Sequence, residues 1–296
     1  MDRRAFLLAA ASAMVLPAVA RADPGGATAI LRAQLPRVCG KQAAAIRGTL
    51  ARAARLRPPG PGKTIVVDLP SQQLVAYRDG SIELECRVVI GDEGWSTPDL
   101  DTGAAFVRFN PTWTVPESII DARNWRTKVK QNPEYFSRLN FLIESGGRMV
   151  EPEEAAAAGM SVGRFVQQPG KGNALGAVKI GLSIGGSVYL HDTNDHGAFD
   201  NDDRAVSHGC IRVEKALELA AWALEIDTSQ AQDFWRSDDR TERKPPSPVR
   251  VVTTYFSAWP DDAGNIQYYQ DIYGRDGGGS ADCTQSTRSG SDYQEE

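Results

Sequence analysis

Apolar residues recur along the chain with two different periods, and the change from one period to the other marks its organisation. Within residues 27–56, which are rich in alanine, leucine and arginine, Ile46, Leu50 and Leu56 recur at the spacing of one helical face. The stretch RPPGPGK ends this pattern, because proline and glycine interrupt regular structure. The pattern predicts an N-terminal helical segment over residues 23–60, with a linker or sharp turn at its end.

Short β-rich runs follow this linker. TIVVDL, QLVAY and IELECRVVI come first, and Asp79-Gly80 between the last two is a typical hairpin turn. FVRFN and TWTV continue the pattern, and strands return later at AVKIGL and SVYLHD, which Gly185-Gly186 joins. A last hairpin is predicted from VRVVTTYFSAW and NIQYYQDIYG, with PDDAG as its turn. The sequence therefore predicts a mainly β (α+β) domain over residues 61–275.

Polar, helix-containing sequence separates the earlier strands from the later ones. Residues 116–176 include ESIIDARNWRTKVKQNPEYFSRL, which is helical in pattern up to Asn132-Pro133, and EPEEAAAAGM, a second short helix candidate. We interpret this block as an insertion or lid. After it, EKALELAAWALEI has the strongest amphipathic helical pattern in the chain. The Gly-, Ser- and Asp-rich tail at 276–296 is predicted to be disordered.

The first residues have the features of an export signal. MDRRAFLLAAASAMVLPAVARA begins with charged residues, continues with an apolar run from Ala5 to Ala20, and ends in small residues suited to cleavage after Ala22. The run is shorter than the roughly 20 residues needed to cross a bilayer, which argues against an uncleaved anchor. Arg3-Arg4 before Ala-Phe-Leu fits a bacterial twin-arginine signal. Residues 1–22 are therefore predicted to direct export to the periplasm.

Composition limits the function classes. The chain has 296 residues, of which 41% are apolar and 24% charged, and this is ordinary for a globular protein. Its formal net charge is −5, and removal of the arginine-containing segment 1–22 makes the remainder more acidic. A nucleic-acid partner would require a basic surface interleaved with aromatic residues, so none is expected. No second hydrophobic span is present in the sequence, and no stable membrane insertion is expected after cleavage.

The only three histidines of the chain, His191, His196 and His208, lie just upstream of Cys210. A cysteine nucleophile needs a base that generates the thiolate and donors that stabilise the oxyanion formed on the attacked carbonyl. His191 ends the predicted strand VYLH, which would fix its backbone. Gly209 permits the tight backbone that turns amide N–H groups toward a substrate oxygen. These features make Cys210 a candidate nucleophile with His191 as its base.

The residues alone leave two other interpretations open. Cys210 could be a buried structural thiol, the usual role of a lone cysteine. Cysteine and histidine are also the commonest zinc ligands. The spacing of the three histidines and Cys210 fits no usual structural zinc site, and no Cys-x2-Cys pair supports one. A thiol nucleophile, a metal site and a structural cysteine therefore all remain open at this point.

The motifs HDT at 191–193 and SHGCIRV at 207–213 resemble the signature of the YkuD-type L,D-transpeptidases, which act on peptidoglycan stem peptides. Further segments, from about Thr64 to Gly274, resemble the YcbB-like branch of that family. These segments are PSQQLVAYRDG, RVVIG, FNPTWTVPESI, NPEYF, PGKGNALGAVKI, YLHDT and YFSAWPDDAGNIQYYQDIYG. The resemblance implies a YkuD-like β-sandwich catalytic domain over 61–275, with the inserted segment as a helical capping subdomain. It implies neither a cofactor nor a metal.

The resemblance also implies roles for individual residues. Cys210 matches the nucleophile and His191 the base. The third partner is usually a backbone carbonyl just after the histidine, which points to Asp192. Backbone amides around Gly209 and Cys210 are expected to form the oxyanion hole. Ser207 and His208, in the same loop, are also expected to bind substrate. Arg212 is expected either to position a substrate carboxylate or to brace the loop. Tyr189 and Trp113 are expected either to line the donor groove or to belong to the core.

The implied reaction is a two-step acyl transfer between muropeptides. The thiolate attacks the diaminopimelate carbonyl of a donor stem peptide, expels D-alanine and forms a thioester. An acceptor diaminopimelate amine then resolves the thioester and gives a 3-3 cross-link. Attack at the first stem residue would give a 1-3 link, and water as the acceptor would make the protein a carboxypeptidase. A cell-wall hydrolase with the same cysteine, a wall-binding module and a metal-dependent hydrolase are the competing functions.

Some positions depart from the family pattern. Asp192 stands where many members have glycine, and His208 stands where the YcbB-like branch often has a small residue. His196 matches no motif position, and we interpret it as a loop residue. The peptidoglycan-binding repeats and LysM modules that often accompany the domain are not recognised in this sequence, so substrate targeting is not predicted.

The other cysteines have simpler expected roles. Cys86 alternates with strand residues in ELECRVV and is expected to be a buried thiol. Cys39 precedes a helix and Cys283 lies in the tail, and in an oxidising periplasm the two could pair. Their disulfide is a hypothesis, because the composition of the tail equally allows a free Cys283.

Overall fold

The computed structural model describes residues 24–184 and 188–277. The predicted signal segment 1–22, the Gly185-Gly186 turn and most of the predicted tail lie outside these ranges, and so does Cys283. Within the described ranges no helix is long and apolar enough to cross a membrane. The signal segment and the disulfide therefore stay predictions.

Helices lie at the N-terminal end of the described chain, in its middle and after the cysteine motif, with strands between them. The α-helices are α1 (Pro24–Gln34), α2 (Gly40–Ala53), α3 (Glu117–Ala122), α4 (Trp125–Gln131), α5 (Pro133–Arg138), α6 (Pro152–Ala157), α7 (Ala216–Leu224) and α8 (Thr228–Arg236). The strands are β1 (Lys63–Asp68), β2 (Gln73–Arg78), β3 (Ser81–Gly91), β4 (Asp101–Phe109), β5 (Trp113–Thr114), β6 (Phe141–Ser145), β7 (Arg148–Val150), β8 (Phe165–Gln167), β9 (Val178–Leu182), β10 (Leu190–His191), β11 (Ala205–Ser207), β12 (Ile211–Val213), β13 (Glu242–Arg243), β14 (Val249–Thr254), β15 (Ala258–Pro260) and β16 (Ile266–Tyr268). Helix α8 has no counterpart in the sequence prediction, because only Ala231, Phe234 and Trp235 of its nine residues are apolar.

The strands of the main sheet form a closed circuit. In the described residues their order is β11-β3-β12-β10-β9-β4-β14-β1-β2, β13 pairs with β4, and β2 also pairs with β3. The long strand β3 makes this closure possible, because β2 pairs along most of it and β12 pairs with its later part. A sheet that closes on itself leaves few free edges and surrounds one core. The predicted mainly β, sandwich-like fold is confirmed.

Alternation along these strands separates a buried face from a face that carries polar side chains. Val107, Ile180, Leu190 and Ile211 are at most 2% exposed and share one core with the apolar residues of α7. Leu190 pairs directly with Ile180 on one side and with Ile211 on the other. Burial of each such side chain contributes about 1.5–3 kcal/mol. The residues that flank them in sequence consequently point away from the core.

The chain between β4 and β9 builds a second, smaller unit, here called the inserted unit (residues 113–167). Its strands pair in the order β5-β8-β6-β7, and α3–α6 pack with them around Trp125, Phe136, Phe141 and Phe165. These rings lie 5.4–6.5 Å apart in the tilted and edge-to-face arrangements that aromatic quadrupoles favour. The sequence predicts the helices here and, at TWTV, strand β5. It does not predict β6, β7 and β8, because strands of three to five residues are too short to show alternation.

Helices α1 and α2 pack against the β15–β16 hairpin. Leu31 and Ile46 share a buried cluster with Phe256 and Trp259, whose rings stack 4.7 Å apart. The sequence predicts one strand for VRVVTTYFSAW, but the structure divides it. β14 belongs to the main sheet through β1 and β4, whereas β15 pairs with β16. At the division, the buried Asp68 carboxylate accepts the Phe256 N–H, which replaces a strand-to-strand hydrogen bond.

Candidate active site

Four side chains of the predicted site lie on one face of the main sheet. In the parallel pair β10–β12, Leu190 is opposite Ile211 and His191 is opposite Arg212, and the Ile211 N–H donates to the Tyr189 carbonyl. Leu190 and Ile211 point into the core, so the residues that flank them point to the opposite face. These flanking residues are Tyr189, His191, Cys210 and Arg212.

Cys210 lies half-buried at the start of β12, beside Tyr189. The backbone N–H and the hydroxyl of Tyr189 both donate hydrogen bonds to the Cys210 sulfur. Burial raises the pKa of the thiol above its ordinary value, while the Tyr189 donors, Lys179 and Arg212 act in the opposite direction. The neutral thiol is therefore the resting form, and the groups that lower its pKa are placed to stabilise the thiolate as it forms.

His191 is buried and uncharged. Its Nδ1 donates to the backbone carbonyl of Asp192, the carbonyl that the family resemblance names as the third partner. Burial and the charge of Arg212 lower the pKa of His191 to about 3, against the opposing effect of the Asp192 carbonyl. Because Nδ1 carries the proton, Nε2 is left as an acceptor. The residue can therefore take up a proton from a neighbouring group.

The Asp192 side chain serves the neighbouring loop and not the imidazole of His191. Its carboxylate accepts the Ala177 N–H at 2.7 Å and faces the exposed His196, whose Nε2 is 3.5 Å away. A Cβ on Gly176 would lie 2.3 Å from this carboxylate, and the φ of Gly176 is +60°, so only glycine fits there. Burial raises the pKa of Asp192. The aspartate that departs from the family pattern is thus accommodated by a glycine in the facing loop.

Residues 207–210 form a tight loop that Ser207 holds closed. The Ser207 hydroxyl donates to the Cys210 carbonyl at 2.6 Å and accepts the Gly209 N–H at 3.1 Å. Gly209 has a φ of +98°, a conformation that other residues rarely adopt. The Ser207 hydroxyl therefore engages the Gly209 N–H, and Gly209 supports the shape of the loop. The expected oxyanion hole from backbone amides around Gly209 and Cys210 stays a prediction.

A cavity of about 340 Å³ opens onto these groups. The sheet face lines one side, and the inserted unit lines the other. The lining residues on the sheet side include Tyr189, His191, Ser207, His208, Cys210 and Arg212, and those on the inserted side include Trp113, Ile119, Arg123, Trp125, Tyr135 and Phe141. The structure thus brings the predicted site residues together around one cavity. Asp192 and Gly209 are the exceptions, since they contact the site residues and not the cavity.

Trp113 contacts the site through a hydrogen bond, and His208 contacts an aromatic ring. Trp113 donates a hydrogen bond to the Tyr189 hydroxyl, so a chain of hydrogen bonds links Trp113 through Tyr189 to the cysteine sulfur. The centroid of the His208 ring lies 5.3 Å from that of Trp95. Burial, followed by the charge of Arg123, lowers the pKa of His208. The predicted groove residues consequently bridge the sheet and the inserted unit.

Lys179 on β9 belongs to the site, although the sequence pattern alone does not single it out. It pairs with His191 across the β9–β10 ladder, and its ammonium lies 3.6 Å from the centroid of the Tyr189 ring. Burial lowers the pKa of Lys179, and the charge of Cys210 acts to raise it. In AVKIGL it alternates with buried residues, but a lysine at such a position is typical of any solvated face. Its importance follows only from its strand partner.

Arg123 and Trp95 also reach the cavity without a sequence signal. Arg123 directly follows α3 in the inserted unit, and Trp95 lies in the loop after β3. Neither position has a periodicity that distinguishes it from other surface residues. The packing of the inserted unit over the sheet brings Arg123 to the cavity, and the loop after β3 brings Trp95 there.

The three histidines serve separate purposes. His191 contacts a backbone carbonyl, His208 an aromatic ring and His196 a carboxylate. Across residues 24–184 and 188–277, no group of three or more histidine, cysteine, aspartate or glutamate side chains is arranged to hold a metal ion. The metal interpretation that the sequence left open therefore has no donor set in the described part of the chain.

A family model and a curated relative both assign the chain to one family. The model of the YkuD family, the L,D-transpeptidase catalytic domain, matches residues 62–252, more than half of the chain. A curated protein of Haemophilus influenzae whose name assigns it to the L,D-transpeptidases is 32% identical over 220 residues. That match covers 72% of this chain and 44% of the relative. The chain therefore spans less than half the length of this relative.

Solved structures of L,D-transpeptidases are similar over about two thirds of the chain. L,D-transpeptidase 3 of Mycobacterium tuberculosis is 12% identical, with a TM-score of 0.33, over 66% of this chain and 62% of that one. An L,D-transpeptidase of Mycobacterium smegmatis is 13% identical, with a TM-score of 0.31, over 66% and 59%. The assignment rests on the family model, whose matched residues include both His191 and Cys210. On that match, this chain belongs to the YkuD family of L,D-transpeptidase catalytic domains.

Proposed function

We propose that this protein is a peptidoglycan L,D-transpeptidase that joins stem peptides by acyl transfer through a thioester on Cys210. The observation that carries the proposal is the placement of Tyr189, His191, Cys210 and Arg212 on one sheet face beside a cavity that the inserted unit lines. Membership of the YkuD family supports peptidoglycan as the substrate class.

In the first step, Cys210 is the nucleophile and His191 is its base. Asp192 holds Nδ1, so Nε2 of the neutral imidazole takes the thiol proton as the sulfur attacks the diaminopimelate carbonyl of a donor stem. The carbonyl oxygen becomes negative, and we assign the Cys210 N–H to it as a donor. When the tetrahedral intermediate collapses, the C–N bond to D-alanine breaks and the leaving amine takes the proton from His191. A thioester remains.

In the second step, the side-chain amine of an acceptor diaminopimelate attacks the thioester. His191 takes a proton from that amine, the C–S bond breaks, and the sulfur leaves as a thiolate that the imidazolium reprotonates. The product is a 3-3 cross-link and the free enzyme is restored. A donor attacked at its first residue would give the 1-3 link between L-alanine and diaminopimelate by the same sequence of steps.

Cations around the cavity suit a substrate that carries carboxylates, as stem peptides do at diaminopimelate and at the D-alanine terminus. Arg212 lines the cavity from the sheet face, and Arg123 lines it from the inserted side. Lys179 lies on the same sheet face as Arg212 but does not line the cavity. Within the described residues none of the three has a carboxylate within salt-bridge distance. Guanidinium groups bind carboxylates in a fixed, bidentate geometry. We assign Arg123 and Arg212 to the recognition of substrate carboxylates.

The inserted unit, which overlaps the predicted capping subdomain of residues 116–176, has a further proposed role as a cap over the cavity. Aromatic side chains make up much of its cavity lining, including Trp113, Trp125 and Phe141. Exclusion of water from a thioester favours its capture by an amine over hydrolysis. The cap would thereby favour cross-linking over trimming.

Export places the enzyme where its substrate lies. We propose that residues 1–22 direct export through the twin-arginine route and that the mature protein acts in the periplasm. The charged start and the short apolar run of MDRRAFLLAAASAMVLPAVARA support this.

Product analysis by liquid chromatography and mass spectrometry tests the proposed function. Protein that begins at residue 23 and its Cys210→Ala variant are incubated with disaccharide-tetrapeptide and disaccharide-dipeptide muropeptides. Cys86→Ala is the matched control, because it removes a buried thiol that does not line the cavity. The expected product is a dimer that lacks one D-alanine, formed by the wild type and the control but not by Cys210→Ala.

Each alternative has its own product. A dimer joined at L-alanine would move the enzyme to the 1-3 linkage. A tripeptide monomer alone would make it an L,D-carboxypeptidase with the same cysteine. No product from any substrate, or a product that Cys210→Ala still forms, would contradict the proposal.

A further inference from the structure

Thr97, in the loop between β3 and β4, ties the cysteine loop to the end of β3. Its side chain is fully buried. The Thr97 hydroxyl donates to the Gly209 carbonyl at 3.0 Å and accepts the Gly91 N–H at 2.9 Å. A hydroxyl has a single proton to donate, so the Gly91 contact fixes the direction in which it points. One side chain therefore holds the peptide that joins Gly209 to Cys210.

That peptide carries the backbone N–H of Cys210. In a trans peptide the C=O and the following N–H point in opposite directions, and no cis peptide bond occurs among the described residues. Holding the Gly209 carbonyl toward Thr97 therefore directs the Cys210 N–H away from Thr97. The Gly209 N–H cannot replace it, because the Ser207 hydroxyl engages that group.

Thr97 is itself held by the last residues of the described chain. The Tyr273 hydroxyl donates to the Gly91 carbonyl at 2.6 Å and accepts the Thr97 N–H at 3.3 Å. The Arg275 guanidinium donates to the Thr97 carbonyl at 3.2 Å. The N–H, carbonyl and hydroxyl of Thr97 are thus all engaged. A network in which every member is satisfied is rigid, so the threonine cannot move without breaking several hydrogen bonds.

The two loops also approach each other too closely for larger side chains. A Cβ on Gly91 would lie 2.0 Å from the carbonyl oxygen of Trp95 and 3.0 Å from Gly209 Cα. The backbone of Gly209 is in a conformation that favours glycine, with a φ of +98°. Neither loop can therefore slide past the other, and Thr97 sets the orientation of the peptide between two fixed supports.

We propose that Thr97 is a positioning residue for acyl transfer, because it orients the Cys210 N–H toward the oxyanion that forms on the attacked carbonyl. This role depends on the proposed function, in which Cys210 forms a thioester. Thr97 does not line the cavity, so it acts through the Gly209–Cys210 peptide. The Cys210 N–H would stabilise the negative charge of the oxyanion. That charge develops only when a carbonyl is attacked and is absent from the resting thiol.

The experiment compares two reactions of Cys210 in wild type, Thr97→Val and Thr97→Ser. Acylation by a carbapenem such as imipenem passes through an oxyanion, whereas alkylation by iodoacetamide is a substitution at saturated carbon and does not. Both are followed as mass increases on the peptide that contains Cys210. Valine keeps the shape of threonine without its hydroxyl, and serine keeps the hydroxyl.

Thr97→Val should lower the acylation rate constant by about tenfold to hundredfold, since loss of a whole oxyanion donor costs about 10²–10³-fold. Its alkylation rate should stay within about twofold of wild type. Thr97→Ser should restore acylation to within about threefold. Tyr273→Phe provides a second variant, because it removes one support of Thr97 and should lower acylation in the same direction by a smaller factor.

Two results would overturn the role of Thr97. One is acylation of the Thr97→Val protein at the wild-type rate. The other is a parallel fall of acylation and alkylation, which would show an effect on the thiol or on folding and not on the oxyanion donor. The proposed function fails separately, if the wild type is acylated by the carbapenem but forms no product from muropeptides. If Thr97→Val does not fold, the same two readouts on Tyr273→Phe decide the question.

Discussion

The two walls of the cavity differ in their chemistry and in how they are built. The wall from the main sheet presents Cys210, His191 and Arg212, and the register of hydrogen-bonded strands fixes their backbones. The wall from the inserted unit presents mostly apolar side chains, among them the aromatic Trp113 and Trp125, which ring packing holds in place. One wall therefore carries groups that gain or lose protons, and the other carries surface that excludes water.

This difference separates bond making from substrate selection. Reacting groups must keep their positions to within a fraction of an ångström, and strands in register provide that precision. The inserted unit has its own apolar core, so it can open or vary without disturbing the register of the sheet. We expect substitutions in the sheet wall to change the rate of acylation. Substitutions in the inserted wall should instead change affinity and the share of hydrolysed product.

Loss of the nucleophile should have the largest effect. Cys210→Ala is expected to lower dimer formation by roughly 10⁴-fold or more, because no other group can form the acyl intermediate. The control Cys86→Ala removes a thiol whose pKa burial raises to about 12. It should retain activity and lose about 1 kcal/mol of unfolding free energy. Muropeptide assays and thermal unfolding of both variants check this, and an active Cys210→Ala protein would remove the distinction between the walls.

Disruption of the inserted wall should leave the thiol intact. The Trp125 ring lies 5.4 Å from Phe136, 5.4 Å from Phe141 and 6.4 Å from Trp113. Truncation of such a core tryptophan costs about 3–5 kcal/mol, and here the loss falls on the inserted unit. Trp125→Ala should raise KM for the tetrapeptide and raise the share of tripeptide product. Alkylation of Cys210 by iodoacetamide should stay within about twofold of wild type.

Trp235→Ala is the control for this prediction. Trp235 is a half-exposed tryptophan of α8 that does not line the cavity, so its loss should leave KM and the product ratio unchanged. A Trp125→Ala protein that loses thiol reactivity in proportion to its transpeptidation would show that the two walls form a single cooperative unit.

Sequence patterns and motifs were sufficient to predict the reacting groups of the sheet wall. HDT and SHGCIRV name His191 and Cys210, and the alternation of apolar residues around Leu190 and Ile211 indicates that their neighbours share a face. The Asp192 carbonyl was implied by the resemblance to the family, and the contact is local, since the acceptor belongs to the next residue in the chain. Local periodicity and a specific motif carry information about residues that are close in sequence.

The remaining site residues depend on information that periodicity does not contain. Arg123 and Trp95 reach the cavity because segments far apart in sequence pack together. Lys179 becomes a site residue through its pairing with His191, and strand partners cannot be deduced from alternation within one strand. Thr97 lies in a loop without any motif, and its hydrogen bond to Gly209 spans 112 residues. These residues could be found only in the folded chain.

The buried imidazole of the sheet wall should produce a pH dependence of stability. The folded pKa of His191 is lowered to about 3, below the value of about 6.5 for an unfolded chain. Between these two pH values the unfolded chain binds more protons than the folded chain. The neutral, buried imidazole of His191 therefore contributes to stability above about pH 6.5, and this contribution is lost as the pH falls toward 3. The melting temperature of the wild type should fall between pH 7 and pH 4 by roughly 5 °C more than that of His191→Gln. Equal slopes for the two proteins would mean that folding leaves the pKa of His191 unchanged.

Substitution of Arg123 is expected to have the smallest effect, and Arg126 provides a closely matched control. Arg126 lies in the same inserted unit, where its guanidinium pairs with Glu117 and Asp121, and it does not line the cavity. Exposed ion pairs of this kind contribute about 0–1 kcal/mol, so Arg126→Gln should change neither KM nor kcat. Arg123→Gln should raise KM for the tetrapeptide by about tenfold and change kcat by less than about twofold, as expected for loss of a charged hydrogen bond in substrate binding.

Two further readouts show whether the charge of Arg123 acts in the cavity. Its positive charge lowers the pKa of His208, so Arg123→Gln should shift the His208 titration, followed by NMR, to higher pH, whereas Arg126→Gln should not. A tetrapeptide with amidated carboxylates should bind equally to the wild type and to Arg123→Gln, because the group that the arginine recognises has been removed. A tenfold difference in KM that persists with the amidated peptide would mean that Arg123 shapes the inserted wall by packing. Recognition of the substrate by its charge would then be a function of the sheet wall, in addition to catalysis.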